Sequence, residues 1–126
     1  MSSLAGKKAL VVDDNPTNLK VAMRMLKKLE MDATTVESGV EALALTEINS
    51  FDVILLDIQM PDLDGYQTAR ALRDREIKTP IIAYTAHALG SDIELCLQAG
   101  MDEHICKPML LNQLEEKLLK VLGGND

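Results

Sequence analysis

Aromatic side chains are nearly absent from this 126-residue chain, which has one Phe, two Tyr and no Trp. Its core must therefore be aliphatic, and little is left to stack on nucleobases or on a flavin. Cations are outnumbered as well: 13 Lys and Arg face 20 Asp and Glu, a formal net charge of −7. That balance opposes non-specific attraction to nucleic acid or to an anionic membrane, so direct nucleic acid binding is not expected. No stretch approaches the roughly 18 apolar residues of a membrane span. The opening "MSSLAGKKALVV" lacks a long apolar segment behind a basic tip, so neither a signal peptide nor membrane insertion is expected, and the expected location is cytoplasmic. Only two cysteines occur, Cys96 and Cys106. Without metal-type spacing, both read as small buried hydrophobes in a reducing compartment.

What is present is ordinary for a globular protein, with 47% hydrophobic and 26% charged residues. The length allows one hydrophobic core. We expect a single domain over 1–126, with its core at about 7–122 and short polar tails. Apolar runs and helical patterns alternate along the chain. "KALVV" (8–12), "DATTV", "DVILL" (52–56), "TPIIAY" and "EHIC" read as strands. Helical spacing follows each of them: Asn15–Glu30 with Leu19, Ala22, Met23, Leu26 and Leu29 on one face, then "VEALALTEI" behind Ser38-Gly39. "YQTARALRDRE", a helix within Gly90–Ala99, and Leu110–Leu122 complete the set. Five such β-then-α units predict an α/β fold of flavodoxin-like (βα)5 type, a three-layer sandwich around a parallel sheet. Its expected strand order is 2-1-3-4-5, with right-handed crossovers.

In that topology ligands bind beyond the carboxyl ends of the strands, near the switch point between the first and third. Asp13 and Asp14 end the first strand, Asp57 the third, Thr85 the fourth, and Lys107 follows the fifth. Asn15-Pro16 is a good helix start, with Asn as cap and Pro at the first helical position, which leaves Asp13 and Asp14 unexplained. Taken singly, Thr85 reads as a cap, Lys107 as a solvated lysine and Asp57 as a turn former. Asp62, Asp64 and Gly65, however, already supply turn chemistry nearer the next helix. Five such residues at one rim are a poor accident. Two carboxylates about 4 Å apart repel by roughly 4 kcal/mol at an effective dielectric of about 20. Three together call for a raised pKa or a bound cation. Few protein oxygens and an anionic substrate suit Mg²⁺, with Mn²⁺ as an alternative ion. A cation, a lysine, a hydroxyl and a free carboxylate are the parts of a phosphoryl site, in which Asp57 is the nucleophile that forms an acyl phosphate.

"VVDDN", "DIQMPDLDG", "TA" at Thr85-Ala86 and "KP" at Lys107-Pro108 resemble, in this order and over nearly the whole chain, the receiver domain of two-component response regulators. "VDDNPTN" and "CLQAGMDEHICKPM" are similar to receivers of hybrid sensor histidine kinases. The resemblance implies that Asp57 accepts a phosphoryl group from a histidine kinase or a histidine phosphotransfer domain. It implies cation ligation by Asp14, Asp57 and the backbone carbonyl of Gln59, with Asp13 acting through water. Lys107 would pair with one phosphoryl oxygen, aimed by a cis Lys107–Pro108 bond, while Thr85 would swing in to another. Gln59 and His87 resemble the positions that tune phosphoryl lifetime. Asn15, Pro16, Asn18 and Val21, with Pro108 and Met109 opposite, correspond to the rim that docks the phosphodonor. The face of the fourth helix, fifth strand and fifth helix would carry the output to a downstream protein or domain. The domain would catalyse only its own phosphorylation and dephosphorylation.

Two positions depart from the family. His104 stands where Tyr or Phe usually rotates inward with Thr85, which predicts a muted switch, or a pH-sensitive one, since free imidazole titrates near about 6.5. Tyr84 stands where an aliphatic residue is usual, and its hydroxyl needs a partner or solvent. The competing enzyme reading is an Mg²⁺-dependent phosphatase with an aspartate nucleophile, but it needs a second Asp where this chain has Gln59. A flavodoxin would need aromatic phosphate-cradling loops. A receiver that is never phosphorylated would have little reason to keep all five rim residues.

Overall fold

The computed structural model describes residues 4–60, 63–86, 90–107 and 109–122, with the side chains of 90–92 left aside. Strands and helices alternate as β1 (Lys8–Val12), α1 (Pro16–Lys28), β2 (Asp32–Val36), α2 (Gly39–Ile48), β3 (Val53–Asp57), α3 (Gly65–Asp74), β4 (Ile81–Thr85), α4 (Gly90–Gln98), β5 (Glu103–Cys106) and α5 (Leu111–Leu122). The strands form one parallel sheet in the expected order β2-β1-β3-β4-β5. Every residue of β3 and β4 is buried, because helices cover both faces of the sheet centre. The edge strand β2 is polar and half-exposed.

Alternation along each strand divides the core in two. Val11, Leu55, Tyr84 and Ile105 face α1 and α5, where Leu19, Leu26, Leu114 and Leu118 pack on them. Val12, Ile54, Leu56 and Ala83 face the other way, against Ala42, Ala69, Leu72 and Cys96 of α2, α3 and α4. Both layers are mainly aliphatic, with Tyr84 the buried aromatic of the α1–α5 layer.

Local chemistry sets the element ends. The Asn15 side chain accepts from the Thr17 amide at 2.9 Å, with Pro16 opening α1. Asp64 and Gln67 form a reciprocal capping box at the start of α3. α1, α3 and α4 each end in the same pair of bonds. Met31 N–H donates to the Leu26 carbonyl and Glu30 N–H to that of Lys27; Ile77 and Glu76, then Met101 and Gly100, repeat the pattern. The motif requires a left-handed residue. Gly100 supplies it at φ +97, whereas Glu30 and Glu76 adopt φ of 64 and 63. Gly at position 30 should therefore stabilise the domain slightly, by about 0.5 kcal/mol, since relief of left-handed strain is partly offset by a freer unfolded chain. A denaturant midpoint that rises at constant slope is the measurement.

Two expectations are corrected here. Cys96 is buried, but Cys106 is exposed, because it ends the edge strand β5 with its side chain outside the packed layers. The third strand begins at Val53, one residue later than the run Asp52–Leu56, and ends at Asp57 as expected. Asp52 accepts from the Lys8 amide ahead of the ladder, and Asp57 pairs with Tyr84 as the last strand residue.

Candidate functional site

The register brings the site together before any side chain is considered. Val12 lies beside Leu56, Asp57 beside Tyr84, and Tyr84 beside Ile105. Carried just past the strand ends, the same alternation puts Asp13, Asp57, Tyr84 and Lys107 in one row at the carboxyl rim, on the α1–α5 side. Thr85 points the other way, and its carbonyl accepts from the Lys107 amide at 2.7 Å, which ties the two following loops together.

Asp13, Asp14 and Asp57 each offer a carboxylate oxygen within 4.8 Å of the others. Asp13 and Asp57 are 0% and 2% exposed, whereas Asp14 lies open to solvent. Asp57 Oδ1 accepts from Lys107 Nζ and from the Gln59 amide, both at 3.2 Å. Asp13 Oδ1 accepts from the Asn15 amide at 2.9 Å. Its Oδ2 is buried and has no hydrogen-bond partner among the described residues; Lys107 Nζ lies 3.8 Å away, within ion-pair range but beyond hydrogen-bond distance. A buried carboxylate oxygen without a donor is costly, and a hard cation at the mouth is the group that would satisfy it. The donor set fits such an ion: three carboxylates with one side open to water.

Charge shows the same strain. Burial, then the neighbouring Asp13 carboxylate, push the Asp57 pKa from 3.8 up to about 6, against the opposing pull of Lys107 and the Gln59 amide. One lysine does not neutralise this cluster. Lys107 Nζ also lies over the Tyr84 ring, 4.7 Å from its centroid.

The other expected residues fall in different places. Asn15, Pro16 and Val21 are exposed on α1 beside the acids, with Asn18 half-buried. Met109, expected to face them as a docking residue, is 4% exposed and packs into the α1–α5 core layer, so it supports the rim from beneath. Leu110 is the exposed apolar residue there, at 53%. Gln59 presents an exposed side chain. His104 is half-buried, pairs with Ala83 and lines a groove of about 310 Å³ between α4, β5 and α5. In the same groove, burial pushes the Glu103 carboxyl up, but hydrogen bonds from Lys117 and Lys120 outweigh it and hold its pKa at about 2. His87 and Pro108, and with Pro108 the bond to Lys107, lie outside the described residues.

Sequence reasoning missed two residues. It noted Tyr84 without finding its partner, which the strand register would have supplied. Gly65 was read as turn chemistry alone, yet a Cβ there would meet the Asp57 carbonyl oxygen and Ile58 Cα at 2.6 Å.

Comparison with known proteins agrees with this geometry. The family profile of the response regulator receiver domain matches residues 9–119. Hybrid signal transduction histidine kinase L of Dictyostelium discoideum is 42% identical over 98% of this chain, and sensor protein GacS of Pseudomonas syringae pv. syringae is 37% identical over 92%. The match spans only 8% and 13% of those two longer proteins. Among solved structures, the receiver domain of a sensor histidine kinase from Pseudomonas aeruginosa superposes with a TM-score of 0.87 at 41% identity. That match covers 94% of this chain and 99% of the other, which holds a magnesium ion coordinated in its active-site cleft. No described helix is long and apolar enough to cross a membrane. With the profile running from the first strand into the last helix, and a rim that carries the acids and the lysine, the chain belongs to the family of response regulator receiver domains.

Proposed function

We propose that this domain takes a phosphoryl group onto Asp57 from a phosphohistidine of a kinase or phosphotransfer domain, and in that state changes its affinity for a downstream partner. The observation that carries this reading is a buried carboxylate at the sheet's rim with its Oδ1 held by a lysine and a backbone amide. Asp57 Oδ2, the carboxylate oxygen other than the one held by Lys107 and the Gln59 amide, is the proposed attacking atom. The new bond runs from Oδ2 to phosphorus as the bond from phosphorus to the donor's ring nitrogen breaks, and that nitrogen keeps the electron pair. Lys107 would pair with an anionic phosphoryl oxygen. Asp14, Asp57, the Gln59 carbonyl and, through water, Asp13 would hold Mg²⁺. When bound, the ion supplies the positive charge that lets phosphate approach the acids.

Thr85, buried at the end of β4, is proposed to hydrogen-bond a phosphoryl oxygen and draw the β4–α4 loop with it. The groove beside His104 would read that movement, with output on the α4–β5–α5 face. The exposed residues Asn15, Pro16 and Val21, joined by Leu110, would meet the phosphodonor, and the exposed side chain of Gln59 would tune hydrolysis. Catalysis is confined to the domain's own phosphorylation and dephosphorylation.

Incubation with acetyl phosphate and Mg²⁺ should add one phosphoryl group by intact mass, labile to hydroxylamine. Asp57→Asn should add none. A stable adduct, or one that persists in the variant, would place the chemistry elsewhere.

A further inference from the structure

Lys107 carries its charge on four rotatable bonds and faces two acids at unequal distances, 3.2 Å to Asp57 Oδ1 and 3.8 Å to Asp13 Oδ2. Carboxylates alone would leave the ammonium free to slide between them, or to lie over the place a cation would take. A flexible point charge needs a lateral contact to stay put. The strand register supplies one. Tyr84, partner of Asp57 across β3 and β4, is 5% exposed, and its ring face lies under the ammonium with 4.7 Å from Nζ to the centroid. The ring also packs into the α1–α5 core layer, so it cannot follow the lysine if the lysine moves.

Resting on the proposed phosphoryl transfer to Asp57, the geometry points to Tyr84 as the positioning residue of this site, its ring face holding the Lys107 ammonium where an incoming phosphoryl oxygen must be met. The contact is electrostatic, between a cation and the negative face of a ring, and is strongest where water is excluded. It belongs to the ring rather than the hydroxyl. Phe should preserve it and Leu, apolar but without a ring, should not.

The test has two readouts. In the unphosphorylated domain, the ε-methylene protons of Lys107 should show an upfield ring-current shift by NMR. The shift should persist in Tyr84→Phe and vanish in Tyr84→Leu. With acetyl phosphate and Mg²⁺, Tyr84→Leu should slow phosphoryl uptake roughly fivefold to tenfold. Tyr84→Phe should restore the rate to within about twofold of the parent, since its ring presents the same face. In a Lys107→Met background, Tyr84→Leu should cost nothing further. Equal rates for Leu and Tyr would overturn the inference, as would a Phe variant as slow as Leu, or a full additional loss on top of Lys107→Met. Failure of the unsubstituted domain to take up phosphate would overturn the proposed function instead, and the NMR comparison would still decide whether Tyr84 holds the lysine.

Discussion

Asp57→Asn should make the cation-free domain more stable at neutral pH, although it removes the residue that carries the proposed chemistry. The folded state holds the Asp57 carboxyl at about 6, against 3.8 in the ordinary state. Above pH 6 the group is ionised in both folded and unfolded chains, and the folded chain bears the whole cost of a buried carboxylate beside Asp13. Between about 6 and 3.8 the folded chain binds the extra proton, so stability rises as pH falls through that window. The gap corresponds to about 2 to 3 kcal/mol, at about 1.4 kcal/mol per tenfold. Asparagine keeps the shape and loses the charge, while Lys107 retains Asp13 as a partner. A gain on the order of 2 kcal/mol at pH 7.5 without Mg²⁺ would raise the melting temperature by several degrees. Mg²⁺ should stabilise the unsubstituted domain and do much less for the variant.

Glu103 titrates with the opposite sign, so the two effects can be separated. Its folded pKa of about 2, against 4.5, gives stability that is present above 4.5 and lost as pH falls toward 2. Between 4.5 and 6 the Asp57 slope therefore stands clear of it. Urea midpoints across that interval should fall with rising pH for the unsubstituted domain and lie nearly flat for Asp57→Asn. A parallel slope in both would mean the strain resides in another group.

The legible part of this protein is what a one-dimensional pattern can hold. Apolar runs of strand length marked β1, β3 and β4, and Asp13, Asp57, Thr85 and Lys107, which end or directly follow β1, β3, β4 and β5, were found because a parallel sheet collects its strand ends at one rim. Signals that depend on the neighbouring strand were not legible. Cys106 looks apolar in sequence, yet it ends an edge strand and is exposed. Met109 follows the lysine like a rim residue, but its side chain turns down onto α1 and α5. Tyr84 became interpretable only when the register set it beside Asp57. Glu30 and Glu76 give no warning of left-handed backbone, because capping there is enforced by the bonds of the following residue.

Gly65→Ala should damage both stability and cation binding, and the coupling is the informative part. Gly65 opens α3 where the chain folds back across the end of β3, and its N–H donates to the Ile58 carbonyl at 3.0 Å. A methyl group there would lie 2.6 Å from the Asp57 carbonyl oxygen and 2.6 Å from Ile58 Cα. Both obstacles are backbone, so no side chain can turn aside, and the helix start or the strand end must move. The segment between them carries Gln59, whose amide bonds Asp57 Oδ1 and whose carbonyl is the proposed third ligand. We expect a loss of about 2 to 4 kcal/mol in denaturant titration, at or above the roughly 1 to 3 kcal/mol typical of forcing extra volume into close-packed structure, because both obstacles are backbone. Mg²⁺ affinity, followed by a stability shift extrapolated to fully folded protein, should drop at least about tenfold, or about 1.4 kcal/mol. Leu118→Ala is the comparison, since it opens a cavity in the α1–α5 layer at a similar cost of about 2 to 5 kcal/mol. It leaves the β3–α3 crossing intact and should keep its cation affinity. If the two variants lost affinity equally, the glycine would matter only to global stability, and the close approach of α3 to Asp57 would have no part in forming the site.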